Sequence, residues 1–199
     1  LADESVAAVH TLGRRMLPLT HQKLTQHVVD FKALPVLPTA GEVYLALGTT
    51  IKVAGSQQAF RAVDFEANLA VARAMRSRGA SRLGVVSAMG ADPASRLFYN
   101  RTKGELEQAL QGLGFATVVI ARPSFLAGDR RALGQPTRSG ETLALAVSRW
   151  LAPLIPDNYK SIDASRVAQA LLGAVPTTSG VRVLSSGVMQ RGPIAASAA

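Results

Sequence analysis

Tyr99 and Lys103, four residues apart in Tyr99-Asn100-Arg101-Thr102-Lys103, place a phenol and an ammonium at the start of a segment with helical character. On a helix that spacing puts both side chains on one face. Upstream, Leu83-Gly84-Val85-Val86-Ser87 reads as a short buried strand with a hydroxyl at its carboxyl end, where ligands sit in open α/β sheets. A phenol with an ordinary pKa of about 10 is a poor acid or base at neutral pH, and a neighbouring ammonium favours its phenolate. A hydroxyl such as that of Ser87 could hydrogen-bond the oxygen that gains or loses the proton. The three groups together suit carbonyl reduction or alcohol oxidation beside a nicotinamide.

Positioning them requires alternating strands and helices. Val6 to Leu12, Val28 to Phe31, Val43 to Leu47, Leu83 to Ser87, Ala116 to Ala121 and Val181 to Leu184 read as strands. Helical periodicity covers Phe60 to Arg78, with Gly79 as its stop, and the Tyr99 segment as far as Gly112 or Gly114. Further helices are expected over Glu141 to Leu151 and, after Ile162-Asp163, over Ala164 to Val175. Gly128 to Gly140 reads as a loop over the cleft, and Gly192 to Ala199 as a frayed tail. The alternation predicts an α/β fold, a doubly wound, mostly parallel, Rossmann-like sheet covered on both faces. One domain over 1–199 is expected, with a small substrate-side subregion over 124–180.

Composition narrows the function. The chain has 199 residues, 48% hydrophobic and 18% charged, enough for one folded domain with a sizeable core. No apolar run reaches the roughly 18 to 20 residues of a membrane span, so no membrane partner is expected. Leu1-Ala2-Asp3-Glu4 begins acidic, unlike a secretory leader, and a cytoplasmic location is expected. Zero cysteines exclude thiolate chemistry, and three scattered histidines argue against a metal site. The net charge of +9 comes mostly from arginines spread along the chain, Arg73, Arg76, Arg78 and Arg82 being the densest group. Dispersed charge of this kind argues against a nucleic-acid partner and for a field that attracts a phosphorylated cofactor.

Three stretches, Val85-Val86-Ser87-Ala88-Met89-Gly90-Ala91-Asp92, Phe98-Tyr99-Asn100-Arg101-Thr102-Lys103-Gly104-Glu105-Leu106-Glu107 and Ile120-Ala121-Arg122-Pro123-Ser124, resemble the short-chain dehydrogenase/reductase superfamily. Within it, the chain is similar to the atypical branch of Tat-interacting-protein-type oxidoreductases and their bacterial relatives, from about Val9 to Leu184. The resemblance implies an NADP-dependent oxidoreductase in which Tyr99 is the general acid or base. Lys103 would lower its pKa and hold the nicotinamide ribose, and Ser87 would position the substrate oxygen. The alternatives are a non-catalytic NADP(H)-sensing regulator and a structural or interaction module; the apolar segment from Glu141 to Ile155, with Trp150 and Leu154, could then pack on a partner.

The resemblance also marks a cofactor path. Gly13-Arg14-Arg15 follows the second strand of such folds, where an acidic residue accepts from NAD ribose hydroxyls and an arginine pairs with the 2′-phosphate of NADP. NADP is therefore expected, NAD remaining possible, with Arg14 the first candidate and Arg15 the second. Asp30 and Phe31 fall where the family meets the adenine. Leu47-Gly48-Thr49 falls at the small-residue turn that passes the adenine ribose and pyrophosphate. Arg122-Pro123-Ser124 would face the nicotinamide carboxamide, Arg122 being either a cofactor contact or a structural ion-pair partner. Asn68 could brace the active-site backbone or lie on the surface. No strand, glycine-rich turn and helix open the chain: Leu1-Ala2-Asp3 reads as the end of a first helix. The expectation is a fragment that lacks the first strand and the glycine-rich loop, whose residues then have no positions here. The substrate and the oligomeric state stay open.

Overall fold

Short apolar runs form the strands, and the amphipathic runs between them form helices that cover both faces of the sheet. The computed structural model describes residues 1–127 and 157–192. Its strands are β1 (Val9–Gly13), β2 (Leu24–Val28), β3 (Glu42–Leu45), β4 (Arg82–Val86), β5 (Thr117–Arg122), β6 (Leu126–Ala127), β7 (Ile162–Asp163) and β8 (Gly180–Ser185). Its helices are α1 (Ile51–Ala54), α2 (Gln57–Arg61), α3 (Asn68–Ser77), α4 (Phe98–Gln111), α5 (Ala164–Ala174) and α6 (Ser186–Gln190). A π turn over Ala62–Ala67 joins α2 to α3, and a 3-10 turn covers Asp157–Tyr159. The expected loop over 128–140, the helix over 141–151 and the tail beyond Gly192 lie outside the described residues.

Every described strand pair is parallel. β3, β4, β5 and β8 form one four-stranded sheet in that order, while β1 and β2 form a pair of their own. In the 3-2-1-4-5-6 order of dinucleotide folds, β2, β1, β3, β4 and β5 take the third, second, fourth, fifth and sixth places.

β5 shows why the sheet is covered twice. Alternate residues of a strand face opposite sides. Val118 and Ile120 enter a core with Leu83 and Val85 of β4, Leu69, Ala72 and Met75 of α3, and Leu106 and Leu110 of α4. Val119 and Ala121 enter a second core with Val167, Ala170, Leu171 and Ala174 of α5, together with Leu184 and Met189. This is the doubly wound α/β arrangement expected from the sequence.

Three elements differ from expectation. The second strand is Leu24–Val28, not Val28 to Phe31, because Leu24 through Val28 pair in register with Val9 through Gly13. Asp30 instead forms a turn in which its carboxylate accepts from the Lys32 amide at 2.9 Å. The helix expected from Phe60 begins earlier, at Gln57, since Ser56 Oγ caps it by accepting from the Ala59 amide at 3.0 Å. Leu1 to Asp3 are not helical: the Asp3 carboxylate accepts from the amide and the hydroxyl of Ser5 and closes a turn.

Two glycines permit close packing. At Gly84 in β4, an added Cβ would lie 3.0 Å from both Tyr44 and Val175. At Gly104 in α4, it would lie 2.2 Å from the Pro93 nitrogen and 2.3 Å from the Asp92 carbonyl carbon, so the helix rests directly on backbone. Gly104→Ala is therefore expected to cost at least the 1–3 kcal/mol typical of overpacking, about the upper end of that range. Gly112→Ala, at the helical C-cap with ordinary contacts at 3.5 Å, should be neutral or stabilise by up to about 1 kcal/mol. Urea denaturation of the two variants side by side checks the contrast.

Candidate active site

Helix α4 carries the chemistry on its buried face. Lys103, Leu106, Glu107 and Leu110 are buried at helical spacing, and Tyr99 begins the same row one turn earlier, at the rim. The Tyr99 ring is 38% exposed and rests on the fully buried Phe60, with ring centroids 5.6 Å apart. Helix α2 thus sets the orientation of the phenol from below.

The expected ammonium is in place, and it has a partner that the sequence reading did not assign. Lys103 Nζ lies 2.7 Å from Asp64 Oδ1, with both side chains buried. Asp64 Oδ2 accepts from the Thr49 amide at 2.8 Å, which ties the lysine to the Leu47-Gly48-Thr49 turn after β3. At Gly48 on that turn, an added Cβ would make an ordinary contact with Asp64 Oδ1 at 3.5 Å, so the carboxylate lies directly against the glycine. Asn68 resolves in favour of the bracing alternative. It is 1% exposed, and its Nδ2 donates to the carbonyls of Leu47, Val63 and Asp64 at 3.1–3.2 Å. Asn68 Oδ1 is buried without a hydrogen-bond partner among the described residues.

Asp64 and Asn68 sit on and just beyond the π turn Ala62–Ala67. Such turns recur at functional sites because one extra residue per turn re-aims side chains. The spacing of apolar residues carries no sign of this turn.

Ser87 is buried at the carboxyl end of β4, as expected, and its hydroxyl donates to Glu107 Oε1. The same carboxylate takes Arg122 in a two-pronged ion pair, Nε to Oε1 at 3.1 Å and Nη2 to Oε2 at 2.6 Å. Glu107, 3% exposed, thereby joins β4 and β5 to the helix of Tyr99 and Lys103. Arg122 has the structural ion-pair partner that one of its two readings expects, and its hydrogen bonds to Glu107 raise the guanidinium pKa further. The signal for Glu107 was its position one turn beyond Lys103, an acid on the inward row.

The remaining expected residues lie at the edges. Arg14 and Arg15 are exposed after β1, and Asp30 is exposed after β2. Phe31 packs against the larger core. Pro123 is buried, and Ser124 Oγ donates to the Lys160 carbonyl and meets Ser186 Oγ at 3.0 Å. Beside them lies a hollow of about 260 Å³ lined by Arg122, Met89, Gly90, Asn158, Tyr159 and Ser186, among others. No group of three or more metal-ligating side chains occurs among the described residues.

Removing one member of a buried ion pair strands the other charge and costs about 3–5 kcal/mol. Lys103→Met and Asp64→Leu should each destabilise by about that amount, while the double variant recovers much of the loss. A double-mutant cycle by urea denaturation measures the coupling.

No protein-family model matches the chain. Solved structures share the fold at low identity. MoeE5 in complex with UDP-glucuronic acid and NAD aligns with a TM-score of 0.66 at 19% identity, over 90% of this chain and 68% of that one. The ADP-L-glycero-D-manno-heptose-6-epimerase of Helicobacter pylori aligns with a TM-score of 0.65 at 16% identity, over 92% of this chain and 70% of that one. The fold is therefore the Rossmann-like α/β fold that these two proteins share. Among curated sequences, the mitochondrial protein FMP52 of Candida albicans is 36% identical over 67% of this chain, which spans 58% of that protein. FMP52 of Coccidioides immitis is 31% identical over 87% of this chain and 77% of its own length. The fmp52 protein of Emericella nidulans is 33% identical over 94% of this chain and 82% of its own length. These relatives are named mitochondrial, which overturns the cytoplasmic location expected from the sequence; composition carries no address. They also place the chain with FMP52 proteins, where the sequence reading had named the Tat-interacting-protein type. With identity above 30% over more than three quarters of the Coccidioides and Emericella proteins, the chain belongs to the FMP52 family.

Proposed function

We propose that the chain is the core of an NADP-dependent oxidoreductase acting on a carbonyl or alcohol. The observation that carries this reading is the buried Lys103–Asp64 pair, one turn from Tyr99 and tied to the Thr49 amide. A buried ammonium is costly, and its position between a phenol and a glycine-containing turn suits a ribose and a proton transfer better than it suits packing.

The residues present fit the ribose end of a nicotinamide dinucleotide. Lys103 supplies a cation, Gly48 presents backbone without a side chain on the Leu47–Thr49 turn, and the buried Asn68 Oδ1, without a partner among the described residues, lies in the same bracket of groups. When bound, the cofactor would supply or accept the hydride. Tyr99 would hold and move the proton at its phenolic oxygen, and Lys103 would favour the phenolate. Ser87, whose hydroxyl donates to Glu107, would accept from the hydroxyl of an alcohol substrate, and would turn its O–H to donate to a carbonyl oxygen. Arg14 and then Arg15 would meet the 2′-phosphate, with Asp30 and Phe31 near the adenine and Arg122-Pro123-Ser124 beside the carboxamide. NAD remains the alternative cofactor, supported by the neighbours solved with it. Closer kinship with Tat-interacting-protein-type oxidoreductases rests on the Ser87, Tyr99, Lys103 and Arg122 segments alone, and the relatives' names support a mitochondrial location.

Titration with NADPH and NADH by cofactor fluorescence tests the reading. NADPH should bind more tightly, and Arg14→Gln with Arg15→Gln should weaken NADPH by about tenfold while leaving NADH unchanged. Tyr99→Phe should abolish NADPH oxidation across a carbonyl panel with cofactor affinity nearly intact; turnover retained by that variant removes Tyr99 from its role.

A further inference from the structure

The chain carries a net charge of +9, yet Arg122, the one cation among the described residues that line the hollow, is matched by an acid. Arg122 is held by both oxygens of Glu107, and the Asp92 carboxylate adds a second negative charge nearby. An anionic substrate group entering here would meet a guanidinium already neutralised and a buried carboxylate directly behind it. What the described walls offer instead are hydrogen-bonding groups without an unpaired charge: the remaining N–H edge of the paired guanidinium and the polar side chains of Asn158, Tyr159 and Ser186.

We propose that this hollow is the substrate subsite, that it takes an uncharged polar group and excludes carboxylates and phosphates, and that Glu107 sets this preference by neutralising Arg122. This deepens the oxidoreductase reading and rests on it. Glu107 is a positioning and specificity residue: it acts through Arg122 and Ser87 and is too deeply buried to meet the substrate itself. The physical basis is long-range. At the few ångströms that separate a ligand on Arg122 from the Glu107 carboxylate, one uncompensated charge changes affinity by about tenfold or more, even with substantial screening.

The test uses two probes of one frame, 4-nitrobenzyl alcohol and 4-carboxybenzyl alcohol, bound to the NADP-loaded protein and followed by saturation-transfer NMR. The corresponding aldehydes serve as turnover probes. The wild type should prefer the uncharged member by about tenfold. Glu107→Gln keeps an acceptor for Ser87 and Arg122 but frees the guanidinium charge, so it should narrow that preference by about tenfold, a gain for the anion that a damaged fold would not produce. Arg122→Gln, which removes the cation instead, should leave the preference as wide or wider. Asp92→Asn, at an exposed position, should shift the ratio in the same direction as Glu107→Gln by about twofold, and decides the matter where Glu107→Gln does not fold. A wild type that takes the carboxylate as well as the nitro compound, a ratio unmoved by both acid variants, or a cofactor-binding protein that takes neither probe overturns the proposal. Failure to bind any dinucleotide overturns the oxidoreductase reading itself, and the proposal with it.

Discussion

Two carboxylates lie buried at the inner face of helix α4, Glu107 on the helix itself and Asp64 packed against it, and each is stable there because a cation meets it. Asp64 faces Lys103, and Glu107 faces Arg122. An isolated charge in such a place would cost several kcal/mol, so neither acid nor base can move without the other. The pairs fix more than the charges. Through Thr49 and Asn68, the first binds α4 to the turn after β3; through Ser87 and Arg122, the second binds α4 to the ends of β4 and β5. The cleft is assembled by these pairs, and the apolar cores beneath provide the platform.

That platform explains the precision available to the site. Val118 and Ile120 on one side of β5, and Val119 and Ala121 on the other, are essentially inaccessible to solvent. A strand locked on both faces has little freedom to slide, so Arg122 at its end and Ser87 at the end of its neighbour keep a fixed separation. Gly104 then lets α4 settle onto the Asp92-Pro93 backbone, bringing Lys103 and Glu107 to the depth where their partners lie.

The sequence announced the groups whose spacing is itself the signal. Tyr99 and Lys103 share a helix face by arithmetic, and Ser87 follows a run too apolar to be anything but a buried strand. The partners were harder to read because a carboxylate in a sequence looks the same whether it is solvated or buried. Glu107 could have been recovered from its place on the row of Lys103. Asp64 could not, since a helix with one residue too many breaks the 3.6-residue phase on which such an inference depends. The second strand was misplaced for a related reason: Val28, Val29 and Phe31 are apolar, but Asp30 takes the Lys32 amide and turns the chain before pairing can continue.

The π turn has an evolutionary consequence. In chain length it amounts to one residue inserted into an otherwise ordinary helix running from Gln57 to Ser77. Removal of that residue would leave a helix of normal geometry and similar apolar content, but would rotate one flank by about 100° against the other. Asp64 and Asn68 could then no longer address the same turn. Kinship in this fold can thus persist through the helix while its inward polar groups come and go by single-residue indels, a change that substitution counts do not register.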